Sequence, residues 1–155
     1  MRFKVIVPFL LAVVVGFLLG KFMFNQYDSK VNLKSVFNDN GEDVYFIQHG
    51  VYSSKESMEK NVIKLNSYIY EEKENKYYVY IGITKLSQNA QKLKDFFENK
   101  GYSIYIKQIK ITNNSFLEAL VSYDDLLSKT VDNKAIMEVC NQVLAKYKEL
   151  DVSSV

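Results

Sequence analysis

Val44-Tyr45-Phe46-Ile47-Gln48-His49-Gly50 and Tyr77-Tyr78-Val79-Tyr80-Ile81-Gly82 are two stretches rich in β-branched and aromatic residues, each ending at a glycine. Val44 to His49 alternates as a strand with one buried face does, and Tyr77 to Ile83 is a second β-rich run. Working outward from the first, Ser53 and Glu56 form an S-x-x-E capping box, which opens a helix carrying Met58, Val62 and Leu65 on one face. Tyr68 to Glu72 is β-rich and the polar turn Lys73-Glu74-Asn75-Lys76 joins it to the Tyr77 run, so the pair reads as a hairpin. Beyond it Ser87 caps a second helix with Ala90, Leu93 and Phe97 inward, closed by Lys100-Gly101. Tyr102 to Ile111 is the last strand, and its alternation changes phase near Gln108, where a bulge or bend is expected. The order β-α-β-β-α-β predicts an α+β domain: a four-stranded antiparallel sheet with two helices on one face.

Two more helices follow. Ser115 and Glu118 make a capping box ahead of Phe116, Leu117, Leu120, Val121 and Leu127, and a helix from about Asn133 to Leu150 carries the stripe Ile136, Cys140, Val143 and Tyr147. Together they predict a C-terminal helical hairpin over 112–155 that must bury its apolar faces. At the other end, Val5 to Gly20 carries no charge, and Phe22, Met23 and Phe24 extend the run past Lys21. About 20 apolar residues at about 1.5 Å each span a bilayer core, so residues 1–24 read as a transmembrane helix. Lys-Phe-Met-Phe stands where a small-residue cleavage pattern would be, and no cysteine follows as a lipid-attachment site. Arg2 and Lys4 favour a cytoplasmic N-terminus, with Lys30 and Lys34 weakening the bias. The expected arrangement is a single-pass protein of the cell membrane with its C-terminal domain outside the cytoplasm. Residues 25–43 read as a polar linker and 44–111 as the α+β domain.

Residues Val44 to Ile111 resemble the SPOR domain, a peptidoglycan-binding module of bacterial envelope proteins. Its usual first strand, aromatic-x-Val-Gln-x-Gly followed by Ser-Phe and a Ser-rich helix start, is mostly met by Tyr45-Phe46-Ile47-Gln48-His49-Gly50-Val51-Tyr52-Ser53-Ser54; its second signature strand is met by Tyr77 to Gly82. Val51 stands where the family often has Ser, and Tyr78 where it often has Arg. The resemblance implies that peptidoglycan glycan strands are the ligand and that the protein acts in cell division, sporulation or wall remodelling. It also fits an N-terminal membrane helix.

Composition narrows the alternatives. The chain of 155 residues has 20 basic and 18 acidic side chains, but Arg2, Lys4 and Lys21 border the apolar run, which leaves the remainder with slightly more acid than base. Nucleic-acid binding draws on phosphate neutralisation, so a nucleic-acid partner is not expected. His49 is the one histidine and Cys140 the one cysteine, so no zinc site, catalytic triad or intrachain disulfide can be assembled from the usual parts. Glu71-Glu72 and Asp124-Asp125 lie in charge-mixed stretches and read as solvated surface. No enzyme activity, metal or cofactor is expected.

Alternation supplies the candidate site. With Ile47, Ile69, Val79, Ile81, Ile104 and Ile106 facing the two helices, Phe46, Gln48, Tyr68, Tyr70, Tyr78, Tyr80 and Tyr105 lie on the opposite face. Phe46, Gln48, Tyr68, Tyr78, Tyr80 and Tyr105 are the expected glycan contacts, because tyrosine offers both a flat apolar body and a hydroxyl and the Gln48 amide can donate and accept. The alternative is that the C-terminal hairpin packs over this face as a second core. The protein would then serve as an interaction or tethering module for another envelope protein.

Overall fold

The computed structural model describes residues 37–152, with side chains over 41–150. The expected transmembrane segment, 1–24, and most of the expected linker lie outside the described residues. Among those described, no helix is long and apolar enough to cross a membrane.

The chain is α+β. In order, the elements are β1 (Phe37–Tyr52), α1 (Lys55–Val62), β2 (Ile69–Lys73), β3 (Lys76–Thr84), α2 (Ser87–Glu98), β4 (Tyr105–Ile111), α3 (Asn114–Lys129) and α4 (Asn133–Val152). The strands form one antiparallel sheet of order β2-β3-β1-β4. β1 begins seven residues before the alternating run, inside the segment read as linker, because Glu42 and Asp43 pair with Ile111 and Lys110 of β4 through their backbones. Gly41 is needed in that stretch: a Cβ there would come within 2.5 Å of the Ile111 carbonyl oxygen.

Local chemistry explains the element ends. Glu74 and Asn75 both take positive φ, 53° and 57°, which gives the two-residue turn that suits the twist of a hairpin. Ser54, one residue beyond the expected Ser53, caps α1 by accepting from the Ser57 N–H at 3.2 Å. Asn113, not Ser115, caps α3, its side-chain oxygen accepting from the Phe116 N–H at 2.9 Å. Ser87 is the first residue of α2 and Leu86 its cap, without a side-chain hydrogen bond. Gly101, at φ 88°, ends the α2 turn as expected. β4 pairs with β1 without interruption from Tyr105 to Lys110, so no bulge falls at Gln108.

The irregularity lies in β1 and β3. Ile47 pairs with Gly82, Gln48 with Tyr80, and Gly50 with Val79, so Ile81 and then His49 are left without an opposite residue. This double bulge puts Phe46, Gln48 and Tyr80 on one face. The hairpin is corrected as well: its two-residue turn pairs Lys73 with Lys76, hence Ile69 with Tyr80 and Tyr70 with Val79, so Ile69 and Tyr70 exchange the faces that simple alternation gave them.

Six consecutive residues of β3, from Val79 to Thr84, are buried, which requires cover on both faces of the sheet. On one face Leu93 of α2 and Ile47 close over Gly82, where an added Cβ would lie 3.2 and 3.3 Å from them. On the other, the Phe46 ring meets Tyr147 of α4 edge-on at 5.5 Å, and Tyr147 meets Phe116 of α3 at 5.1 Å. β2 pairs only with Lys76 to Tyr80, so the rest of β3 has no strand on its outer side among the described residues, and the hairpin reaches around there to touch α2.

Candidate functional site

The face expected to hold glycan is partly closed. Phe46 and Tyr80 are fully buried, their rings 5.3 Å apart edge-to-face beneath the hairpin. This corrects the expectation of an open aromatic platform. α3 and α4 carry the buried Phe116, Leu120, Val143 and Tyr147 at helical spacing, and Tyr147 of that stripe meets Phe46 on this face. Tyr68 lies just before β2 and packs half-buried against the core.

What stays accessible is a strip around Gln48. Gln48 sits opposite Tyr105 on β4, which is 66 % exposed, and Tyr78 lies half-buried across β3. Lys107, a residue the sequence reading passed over, joins them. Its ammonium is 5.0 Å from the Tyr78 ring centre and 5.8 Å from that of Tyr80, and it donates to the Tyr80 hydroxyl at 3.2 Å. Its place two residues after Tyr105 on the same strand face was the available signal. The Tyr80 hydroxyl is pushed well above the ordinary tyrosine range by burial first, with the Glu71 charge adding to it. It therefore stays protonated. The strip can hydrogen-bond and stack weakly, but it offers no nucleophile or general base.

Chemistry elsewhere is equally spare. Burial pushes the Cys140 thiol up to about 12, which removes it as a nucleophile at neutral pH. No group of histidine, cysteine and carboxylate side chains able to hold a metal occurs among the described residues. His49 Nδ1 lies 2.9 Å from the Tyr52 hydroxyl, and its ring meets Tyr102 edge-on at 5.3 Å; burial lowers its pKa.

Asp124 overturns the reading of Asp124-Asp125 as solvated surface. Asp125 is exposed and pairs with Lys129 at 2.7 Å, whereas Asp124 is only 4 % exposed. Its carboxylate accepts from the Thr84 hydroxyl, from the Lys85 N–H at 2.8 Å and from the Asn89 amide at 3.1 Å. Ser128 bridges the Asn89 side chain and the Asp124 carbonyl. These bonds tie α3 to the end of β3 and the start of α2. Helical phase held the clue, since Asp124 lies four residues after Leu120 and three before Leu127, both buried.

Compared with family models, with curated proteins and with solved structures, the chain matches none.

Proposed function

We propose that this chain is a membrane-tethered, non-catalytic module of a bacterial envelope, a SPOR-like domain that works by holding an envelope protein rather than by chemistry. The observation that carries the reading is the closure of the aromatic sheet face: Phe46 and Tyr80, the inner stacking positions for a glycan, lie under the hairpin. What remains open is the outer strand β4, with Tyr105 exposed and Ile106 at 36 %, and no described residue pairs with its outer edge. A free strand edge is a common place for an extended segment of a partner to add.

Peptidoglycan binding is the second reading, and the strip of Gln48, Tyr78, Tyr105 and Lys107 favours it, since amide, hydroxyl and ring surface lie together on one face. Incubating the detergent-solubilised full chain with purified sacculi separates the two. On the first reading the protein stays in the supernatant, and so does the Gln48→Ala, Tyr105→Ala variant. Retention of the parent that this double variant abolishes would replace the first reading with the second.

A further inference from the structure

A cleft of about 120 Å³ opens where four segments meet: the link from α1 to β2, the middle of β3, the end of α2 and the first turns of α4. Ile81, Phe97 and Met137 are the apolar part of its lining beside Leu65, Ile81 and Phe97 being buried. Lys64 and Lys100 stand on its rim, and no Asp or Glu lines it. The Lys100 ammonium is held 4.8 Å from the centre of the Phe96 ring and has no carboxylate partner among the described residues. The side chains of Lys64, Asn66 and Asn141 likewise make no hydrogen bond or ion pair among the described residues. Two cations and two amides thus line one cleft, free of competing carboxylates among the described residues.

We propose that this cleft binds a small organic acid, a carboxylate carried on one apolar or ring-sized group. The lysines supply the charge that draws the carboxylate. The amides of Asn66 and Asn141 donate to its oxygens or accept from a neighbouring N–H of the ligand. The volume is close to the about 150 Å³ of a cavity that takes one benzene ring, so the body is a single ring or a residue or two of a peptide terminus. Phosphate fits less well, because phosphate sites draw on nests of backbone N–H groups, whereas this lining is side-chain amide over hydrocarbon. Met137 and Asn141 belong to α4, so the docked hairpin completes the site. The cleft does not depend on the sheet-face reading, and its failure would leave that reading untouched.

The four methionines of the chain make the test direct. Met137 is in the cleft wall and Met58 is buried beneath α1, so methyl-labelled methionine in the full chain, held in a non-ionic detergent, gives a reporter and an internal control. Titration with N-acetyl-dialanine should move the Met137 resonance and leave Met58 in place. The C-terminal amide of the same peptide should bind at least about tenfold more weakly, the size of one lost charge-assisted contact. Lys64→Gln with Lys100→Gln, both exposed positions, should erase that difference while Met58 keeps its parent shift. A response to N-acetylmuramic acid instead of the peptide would support the site equally and assign the carboxylate to a sugar. The proposal is overturned if neither acid moves Met137, if the amide binds as tightly as the acid, or if the lysine variant binds unchanged.

Discussion

At Asp124 a carboxylate on the apolar stripe of α3 is kept inside by donors from β3, the β3–α2 link and α2. Removing one partner from such a network strands the others, at a cost of about 1–3 kcal/mol for each buried group left unsatisfied. Asp124→Ala should therefore destabilise the full chain by more than about 1 kcal/mol, whereas Asp125→Ala, which loses only an exposed pair within one helix, should change its stability by less than about 0.5 kcal/mol. Urea titrations of both variants check this, and equal midpoints would refute the latch. Cys140 offers a second readout. Its buried thiol should react with a disulfide reagent only when the hairpin opens, so Asp124→Ala should speed labelling. His49 gives the pH dependence. Burial holds its folded pKa below 6.5, so as pH falls through about 6.5 the unfolded chain takes up the proton first and the folded state loses stability. Melts at about pH 7.5 and about pH 5.5 should show a larger fall for the parent than for His49→Gln. An identical fall in both would place the acid sensitivity elsewhere.

Among the elements, the hairpin α3–α4 decides whether the sheet has one open face or none. Its aromatic contacts run from Phe116 through Tyr147 to Phe46 and Tyr80, so deleting residues 113–155 should leave a domain that binds a hydrophobic dye and loses its sharp melt. Tyr80→Ala in the full chain should cost about 3–5 kcal/mol, as loss of a large buried aromatic does. If the truncated chain melts as sharply as the parent and binds no dye, the hairpin is an ornament on a complete domain. Much of this element scale was readable in advance, because period and punctuation are local: the order of strands and helices, the Glu74-Asn75 turn and the Gly101 stop all follow from residues within a few positions of one another. The double bulge at Ile47 to Gly50 was not readable, since it depends on how β1 and β3 share Ile81 and His49 across the sheet. The early start of β1 was hidden for a related reason. Phe37 and Glu42 both pair with Ile111 through backbone, and the polar residues between them, such as Asn38, Asp39 and Asn40, have no opposite residue and give no strand signal. Of the candidate site, the residue types were legible and their exposure was not. Burial of Phe46 and Tyr80 is set by a hairpin whose first helix begins only at Asn114, far along the chain from both.

For the whole molecule, the described domain has a core of its own, while Tyr105, Ile63 and Val131 stay exposed. Val44, Ile47, Leu93, Ile111, Phe116 and Leu144 are fully buried, and no described helix suits a bilayer. The reason to expect a membrane is confined to the sequence before Asn25, where an uncharged run follows Arg2 and Lys4. On the proposed reading, tether and domain are separable in their physics: a tether would partition by the hydropathy of its sequence, whereas the domain folds by a core assembled from residues far apart in the chain. Removing residues 1–24 should therefore move the protein from the membrane fraction to the soluble fraction without changing the melting temperature of what remains. A protein that stays with membranes after the deletion would locate the attachment in the domain, and one that no longer melts cooperatively would make the N-terminal run part of the fold. Orientation calls for a separate measurement, because Lys30 and Lys34 oppose the bias set by Arg2 and Lys4. Alkaline phosphatase joined after Val36 should be active in membranes if the domain lies outside the cytoplasm, since that enzyme folds only where its disulfides can form. An inactive fusion, with a cytoplasm-dependent reporter active at the same position, would put the domain inside. The peptidoglycan reading would then end with the topology, whatever the chemistry of Gln48 and Tyr105.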